Sequence, residues 1–220
     1  MAVEEKVLVV ERKVVEDVGR FHGLMFDVEQ YLREIFVQGR PCFMNRAEVE
    51  EKPEYKQLIP YVIMSYEGKY LNYVRGKRAG EKRLMGLRSI GIGGHINPVD
   101  NEVPLFDTDF QKMYATAVER EVAEEVNVEA GHSDRIAALL NDDSNKVGSV
   151  HLGIVHYWRL DSDKVSRREQ MITQMDFKSI EELEAVRESM ETWSMLCLDG
   201  LREMARRAEH GGGGHQEKTE

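Results

Sequence analysis

Apolar and polar positions along the chain change register several times, and each change predicts an element. Lys6 to Arg12 reads Lys-Val-Leu-Val-Val-Glu-Arg, a β-branched strand that Val14 and Val15 would continue past a bend. Between Asp27 and Val37 the apolar residues Val28, Leu32, Ile35 and Phe36 approach helical spacing, and Gly39-Arg40-Pro41 ends that helix. Tyr61 to Tyr66 and Lys69 to Arg75, joined by Glu67-Gly68, predict a hairpin. Leu87 to Ile92 is extended and runs into Gly93-Gly94. Asp107-Thr108-Asp109 offers helix caps, and the helix from near Asp109 to Val126 carries an apolar stripe of Val118, Val122 and Val126.

Downstream, Asp134 to Leu140 reads as a strand or a short helix, and Asn141 to Asn145 as a turn. Val147 to Leu160 is the strongest strand signal and predicts the centre of a sheet. His151 and His156 fall on opposite faces of that strand, so they cannot chelate one ion together. Ser179 with Glu182 forms a capping box for a last helix that reaches about Ala208 with a break near Gly200. The glycine run after His210 heads a tail, residues 210–220, expected to be disordered.

Interspersed helices and strands indicate an α+β fold, and 220 residues suffice for one sizeable core. The division expected is an N-terminal extension (residues 1–58) packed on a main domain (residues 59–209), followed by the tail. An acidic start and no apolar run of spanning length point to the cytoplasm and away from membranes. Cys42 and Cys197 have no motif around them and are expected to be reduced and buried. A net charge of -10 disfavours nucleic-acid partners, so an anionic substrate would need local cations. Arg75, Lys77 and Arg78, in and beside the basic loop to Arg83, are candidates to steer phosphates; solvated loop charge is the competing reading.

The candidate chemistry lies on the predicted helix, where Glu121, Glu124 and Glu125 share one face opposite the valine stripe. Arg120 can reach Glu124 one turn on. Clustered carboxylates suit magnesium, which takes oxygen ligands and joins them to phosphates. Taken alone, the Arg-Glu-Val-Ala-Glu-Glu run fits a solvated acidic face as well as a metal site.

Strand, glycine turn and acidic helix together resemble the Nudix hydrolase signature, Gly-x5-Glu-x7-Arg-Glu-U-x-Glu-Glu-x-Gly-U with U aliphatic. Arg120 to Val128 matches its last section, and Gly93-Gly94-His95-Ile96 its opening turn. Two positions depart: Lys112 stands where the signature has Glu, and Asn127 where it has Gly, a residue able to close a helix in the left-handed conformation. About a dozen extra residues, with Pro98, Pro104, Asp100, Glu102, Asp107 and Asp109, separate Gly94 from the helix and predict a loop at the mouth of the site. Asn141 to Asn145, Val147 to Gly153, Lys56 to Tyr61 and Glu191 to Ser194 also resemble the branch of the family described as predicted phosphoesterases, over about Lys6 to Met204.

The resemblance implies an α/β/α sandwich with a mixed sheet, an N-terminal extension and a C-terminal helix. It implies magnesium, with manganese as substitute, held by Glu121, Glu124, Glu125 and the Gly94 carbonyl, with Arg120 orienting the carboxylates. The implied reaction cleaves a phosphoanhydride bond in a small-molecule nucleoside diphosphate linked to a second group. Glu124 is the first candidate for the base and Glu169, in the loop before the last helix, the second. The extension implies homodimer contacts or a cover over the substrate. The alternative is a nucleotide sensor of the same fold that does not cleave, motivated by Lys112. Tyr70, Tyr73, Tyr114, Tyr157 and Trp158 could stack a base, but aromatics in such patterns usually form core.

Overall fold

The structure is a computed structural model that describes residues 5–76, 86–100, 110–168 and 172–210. In chain order, β1 (Lys6–Glu11), α1 (Arg12–Val18), β2 (Gly23–Met25), α2 (Glu29–Ile35), β3 (Cys42–Asn45) and α3 (Arg46–Val49) precede the hairpin of β4 (Tyr55–Tyr66) and β5 (Lys69–Arg75). Two short strands, β6 (Arg88–Ser89) and β7 (Gly91–Gly93), lead to the long helix α4 (Phe110–Glu125). Then come β8 (Val126–Val128), β9 (His132–Asn141), β10 (His151–Leu160), β11 (Val165–Arg167) and β12 (Ile172–Lys178). Helices α5 (Ile180–Glu184) and α6 (Thr192–His210) complete the described chain.

The main sheet has the order β12-β5-β4-β10-β9-β2, with β1 and β7 also paired to β4. It is mixed: β10 runs parallel to β4 and antiparallel to β9. Strand periodicity divides its two faces. Leu58, Val62 and Met64 of β4 and Leu152, Ile154 and Trp158 of β10 pack against Val118 and Val122 of α4 and against α1 and α2. Tyr61 and Ile63, with Val155 and Tyr157, pack against Leu198, Leu201 and Met204 of α6. Helices therefore cover both faces, the expected sandwich. The five aromatics considered for base stacking, Tyr70, Tyr73, Tyr114, Tyr157 and Trp158, are all buried in this core.

Several local expectations are corrected. Val14 and Val15 do not extend the first strand; they lie in α1, where Val15 turns into the core beside α2. The run from Leu87 to Ile92 forms two strands, because β6 pairs with β5 while β7 pairs with β4. Asn127 does not close α4 in a left-handed turn: it lies in β8, opposite Ser166 of β11. Among described residues the one non-glycine with positive φ is Glu67, in the hairpin turn with Gly68.

Gly200 does not break the last helix; α6 runs through it, and a Cβ there would collide with Leu24 of β2. The interruption comes earlier, between α5, with its Ser179–Glu182 capping box, and α6. Cys197 is buried as expected, but Cys42 is exposed, because β3 pairs with β1 alone at the margin of the sheet. The caps expected at residues 107–109, the cations Lys77 and Arg78, and the tail after His210 lie outside the described residues.

One buried cation organises the end of the sheet. Lys56, 2% exposed, donates to Asp143 Oδ1 at 2.7 Å and to the carbonyls of Gly148 at 3.1 Å and His151 at 3.2 Å. Arg12 joins it, bonding both Asp143 oxygens at 3.1 Å and the Ser149 carbonyl. Burial pushes the Asp143 carboxyl up, but hydrogen bonds from Lys56, Arg12 and Asn141 outweigh it and hold the group down at about 2. Replacing Lys56 by Ala would leave the buried carbonyl of Gly148 without this donor, while Arg12 and Asn141 still hold Asp143, and urea unfolding should show a loss of about 1–3 kcal/mol. Because the Asp143 pKa is depressed on folding, its contribution is full above the ordinary carboxylate range and is lost as pH falls toward about 2. Acid titration of stability should accordingly be shallower in Asp143→Asn than in the wild type; identical profiles would contradict this assignment.

Candidate active site

Helix α4 is positioned by its apolar face, with Val118 and Val122 each 3% exposed and Val126 just beyond it at 1%. With that face buried, Arg120 and Glu121 lie against the turn after β7, at the His95 carbonyl and Gly94, while Glu124 stands more open beside them. Glu121 meets that strand directly: a Cβ at Gly94 would fall on its carboxylate, so only glycine permits the approach.

Arg120 holds the assembly together. Its Nε and Nη2 donate to Asp100 at 2.6 and 3.0 Å, Nη2 also to the His95 carbonyl at 2.9 Å, and Nη1 to Glu121 at 2.8 Å and Glu124 at 3.1 Å. Asp100, buried in the short 3-10 turn Pro98–Asp100, was expected only as part of a mouth loop. It is a fixed anchor for the guanidinium, and its Oδ2 also accepts from the Asn97 amide at 2.7 Å. Nothing in the spacing marked it, since the contact spans 20 residues.

Burial pushes the Glu121 carboxyl up to about 7; Glu124 and Glu125 add to the rise, and Arg120 opposes it. Glu124 is more open, its side chain 55% exposed. Glu125 sits where its charge acts on Tyr73 and Arg75 of β5. Among the described residues no three His, Cys, Asp or Glu side chains already form a cluster able to hold a metal ion. The donors nonetheless suit a hard divalent cation: they are all oxygen, and Glu121 is pressed on a glycine main chain in surroundings that leave its negative charge under-compensated. Lys112 is exposed on α4, and nine residues at about 100° each place it on the opposite side of the helix from Glu121, which removes the motive for a cation-displacing lysine. Glu169 lies outside the described residues.

Beside this corner opens a cleft of about 840 Å³. Gly93, Gly94 and His95 form one edge, Ile59, Tyr61 and Trp193 line it, and Arg46, Arg75 and Lys146 bring positive charge. The loop held by Lys56 supplies another wall through Asp142, Asn145 and Gly148. His95 and His151 meet there with ring centroids 5.6 Å apart. The His151 Nδ1 bonds the Val147 carbonyl at 2.7 Å, so that nitrogen carries the proton. Burial, together with the charges of Arg46 and Arg120 and the nearby His151, pushes His95 down to about 3 and keeps it neutral. His156 faces the other way, between Tyr114 OH at 2.7 Å and Asp134 at 2.8 Å, as a satisfied core residue. Sequence reasoning missed Tyr61, Trp193 and Glu191 as cleft residues; the only signal was their place in motifs quoted for family likeness.

No family model matches the sequence. The chain is 30% identical over 209 residues to Protein YmaB of Bacillus subtilis (strain 168), covering 90% of this chain and 98% of that protein. It is also similar to the crystal structure of Tm1382, described as "a putative Nudix hydrolase", with 29% identity, a TM-score of 0.74, and coverage of 91% of this chain and 100% of that one. Near-complete coverage in both, with the Arg120–Glu125 run placed against Gly94, leads to one assignment: the chain belongs to the Nudix hydrolase superfamily.

Proposed function

We propose that this protein is a magnesium-dependent hydrolase of a phosphoanhydride bond in a nucleoside diphosphate linked to a second group. The observation that carries the reading is the Glu121 carboxylate seated on Gly94 at the edge of a cleft that also holds arginines. Family membership supports hydrolysis, and the oxygen-only donor set supports the ion, with manganese as the substitute.

Glu121, Glu124, Glu125 and the Gly94 carbonyl would hold the cation. When bound, magnesium neutralises diphosphate oxygens and makes a nearby water more acidic. The chain's own residues do the rest. Arg120 fixes Glu121 and Glu124 in orientation while anchored to buried Asp100. Glu124, exposed and one turn from Glu121, accepts the proton of the attacking water. Positive charge fixed at the cleft wall by Arg75 would favour the developing phosphate.

A phosphate-release assay with magnesium over dinucleoside polyphosphates, nucleotide sugars and nucleoside triphosphates should give turnover on at least one diphosphate-linked compound, and none on any would end this reading. Glu124→Gln should lower kcat by about 10²–10⁴-fold with the folded state unchanged by circular dichroism; near-normal turnover would remove Glu124 from the mechanism. Gly94→Ala should also cost activity, because the new methyl displaces the Glu121 carboxylate.

A further inference from the structure

Arg75 ends β5 at the wall of the cleft, and its setting is unusually constrained. Its side chain is 17% exposed, its Nε donates to Glu191 Oε2 at 3.3 Å, and its guanidinium lies 5.6 Å from the Tyr73 ring centroid. Burial works against the charge, but Tyr73, Glu191 and Glu125 more than restore it. Arginine stays charged in any case.

The partner carboxylate is equally fixed. Glu191, 6% exposed, stands at the break before α6, and its Oε1 accepts from Ser89 Oγ at 2.6 Å and from Tyr61 OH and Ser194 Oγ at 3.2 Å. Ser194 is itself tied to the Ile90 amide at 3.0 Å and to Tyr61 OH at 2.9 Å. A carboxylate gripped by this many hydroxyls is held in one orientation and makes a good anchor. Its network joins β4, β6 and α6 and ends on one guanidinium.

A purely structural ion pair is a costly way to join β5 to α6, since apolar side chains of similar volume would serve as well without desolvating two charges. The pair also lies at the cleft, and the charge of Glu125, from the carboxylate helix, reaches the same guanidinium. A planar fork held by its Nε edge has the geometry that recognises phosphate through paired N–H groups. Arg46 and Lys146, the other Lys and Arg lining the cleft among the described residues, are committed to surface acids: Arg46 to Glu5 and Glu50, and Lys146 to Glu51.

We propose that Arg75 is a phosphate-binding residue of this cleft and that Glu191, through its buried network, is the positioning residue that sets the guanidinium in place. The diphosphate nature of the ligand rests on the hydrolase reading; the anion site does not require turnover.

Calorimetric titration of the full chain with inorganic pyrophosphate in magnesium tests it. Binding should weaken about tenfold or more in Arg75→Gln, and severalfold in Arg75→Lys, which keeps the charge beside Glu191 but loses the fork. Glu191→Gln should weaken it severalfold and raise KM for any hydrolysed substrate more than it lowers kcat. Manganese binding followed by electron paramagnetic resonance should be unchanged in Arg75→Lys, whose thermal transition reports the fold. Wild-type affinity in both Arg75 variants, or no pyrophosphate binding by the wild type, would overturn the proposal. Arg75-dependent binding without hydrolysis of any panel compound would uphold the anion site and remove the hydrolase reading. Hydrolysis indifferent to Arg75 would do the reverse.

Discussion

A single guanidinium, that of Arg120, connects three parts of the chain that would otherwise have no reason to meet. It spans the buried carboxylate of Asp100, the main-chain carbonyl of His95 and the carboxylates of Glu121 and Glu124. Five donors in one plane allow this; an ammonium, with three donors on a point charge, would leave some of these oxygens unserved. The helix α4 can then carry adjacent acids against a sheet, because their mutual repulsion is offset locally. Remove the fork and Asp100 becomes a stranded buried charge, while Glu121 loses the partner that opposes its protonation.

Around that fork, the cleft follows from strand direction. β4 and β10 run parallel, with His151 opposite Gln57 and Gly153 opposite Ile59, so both strands begin at the same edge of the sheet. β7 runs antiparallel to β4, with Gly93 opposite Tyr61, and it delivers Gly94 and His95 to that edge. The opposite wall is the loop after Asn141, gathered by Lys56. A buried lysine and a half-buried arginine thus brace the loop and the helix on either side. Lys56 binds carbonyls and one acid, and Arg120 binds the acids of the helix; neither could be exchanged for an apolar residue without freeing the loop or the carboxylates it holds.

Much of this was legible in residue order because the signals are local. The hairpin turn at Glu67-Gly68, the valine stripe of α4, the central strand β10 and the capping box at Ser179 each depend on residues within a few positions, and each stands in the structure. Misreadings occur where pairing partners decide. Val15 has the same side chain in a strand or a helix, and contact with α2 chose the helix. Asn127 could have capped α4, but β11 offered a ladder. Gly200 resembles a breaker until β2 is seen packed against it, where a side chain would not fit.

By itself, the amino-acid sequence determined the α+β class, the acidic helix and the glycine turn it works with, since period and motif are properties of neighbours along the chain. Only the tertiary structure decided that Asp100 anchors Arg120, that Lys56 braces the cleft loop, and that Arg75 and Glu191 share its wall. Those contacts join residues 20, 87 and 116 positions apart. A buried charge must find its counter-charge wherever the fold places it, and no periodicity along the chain encodes that meeting.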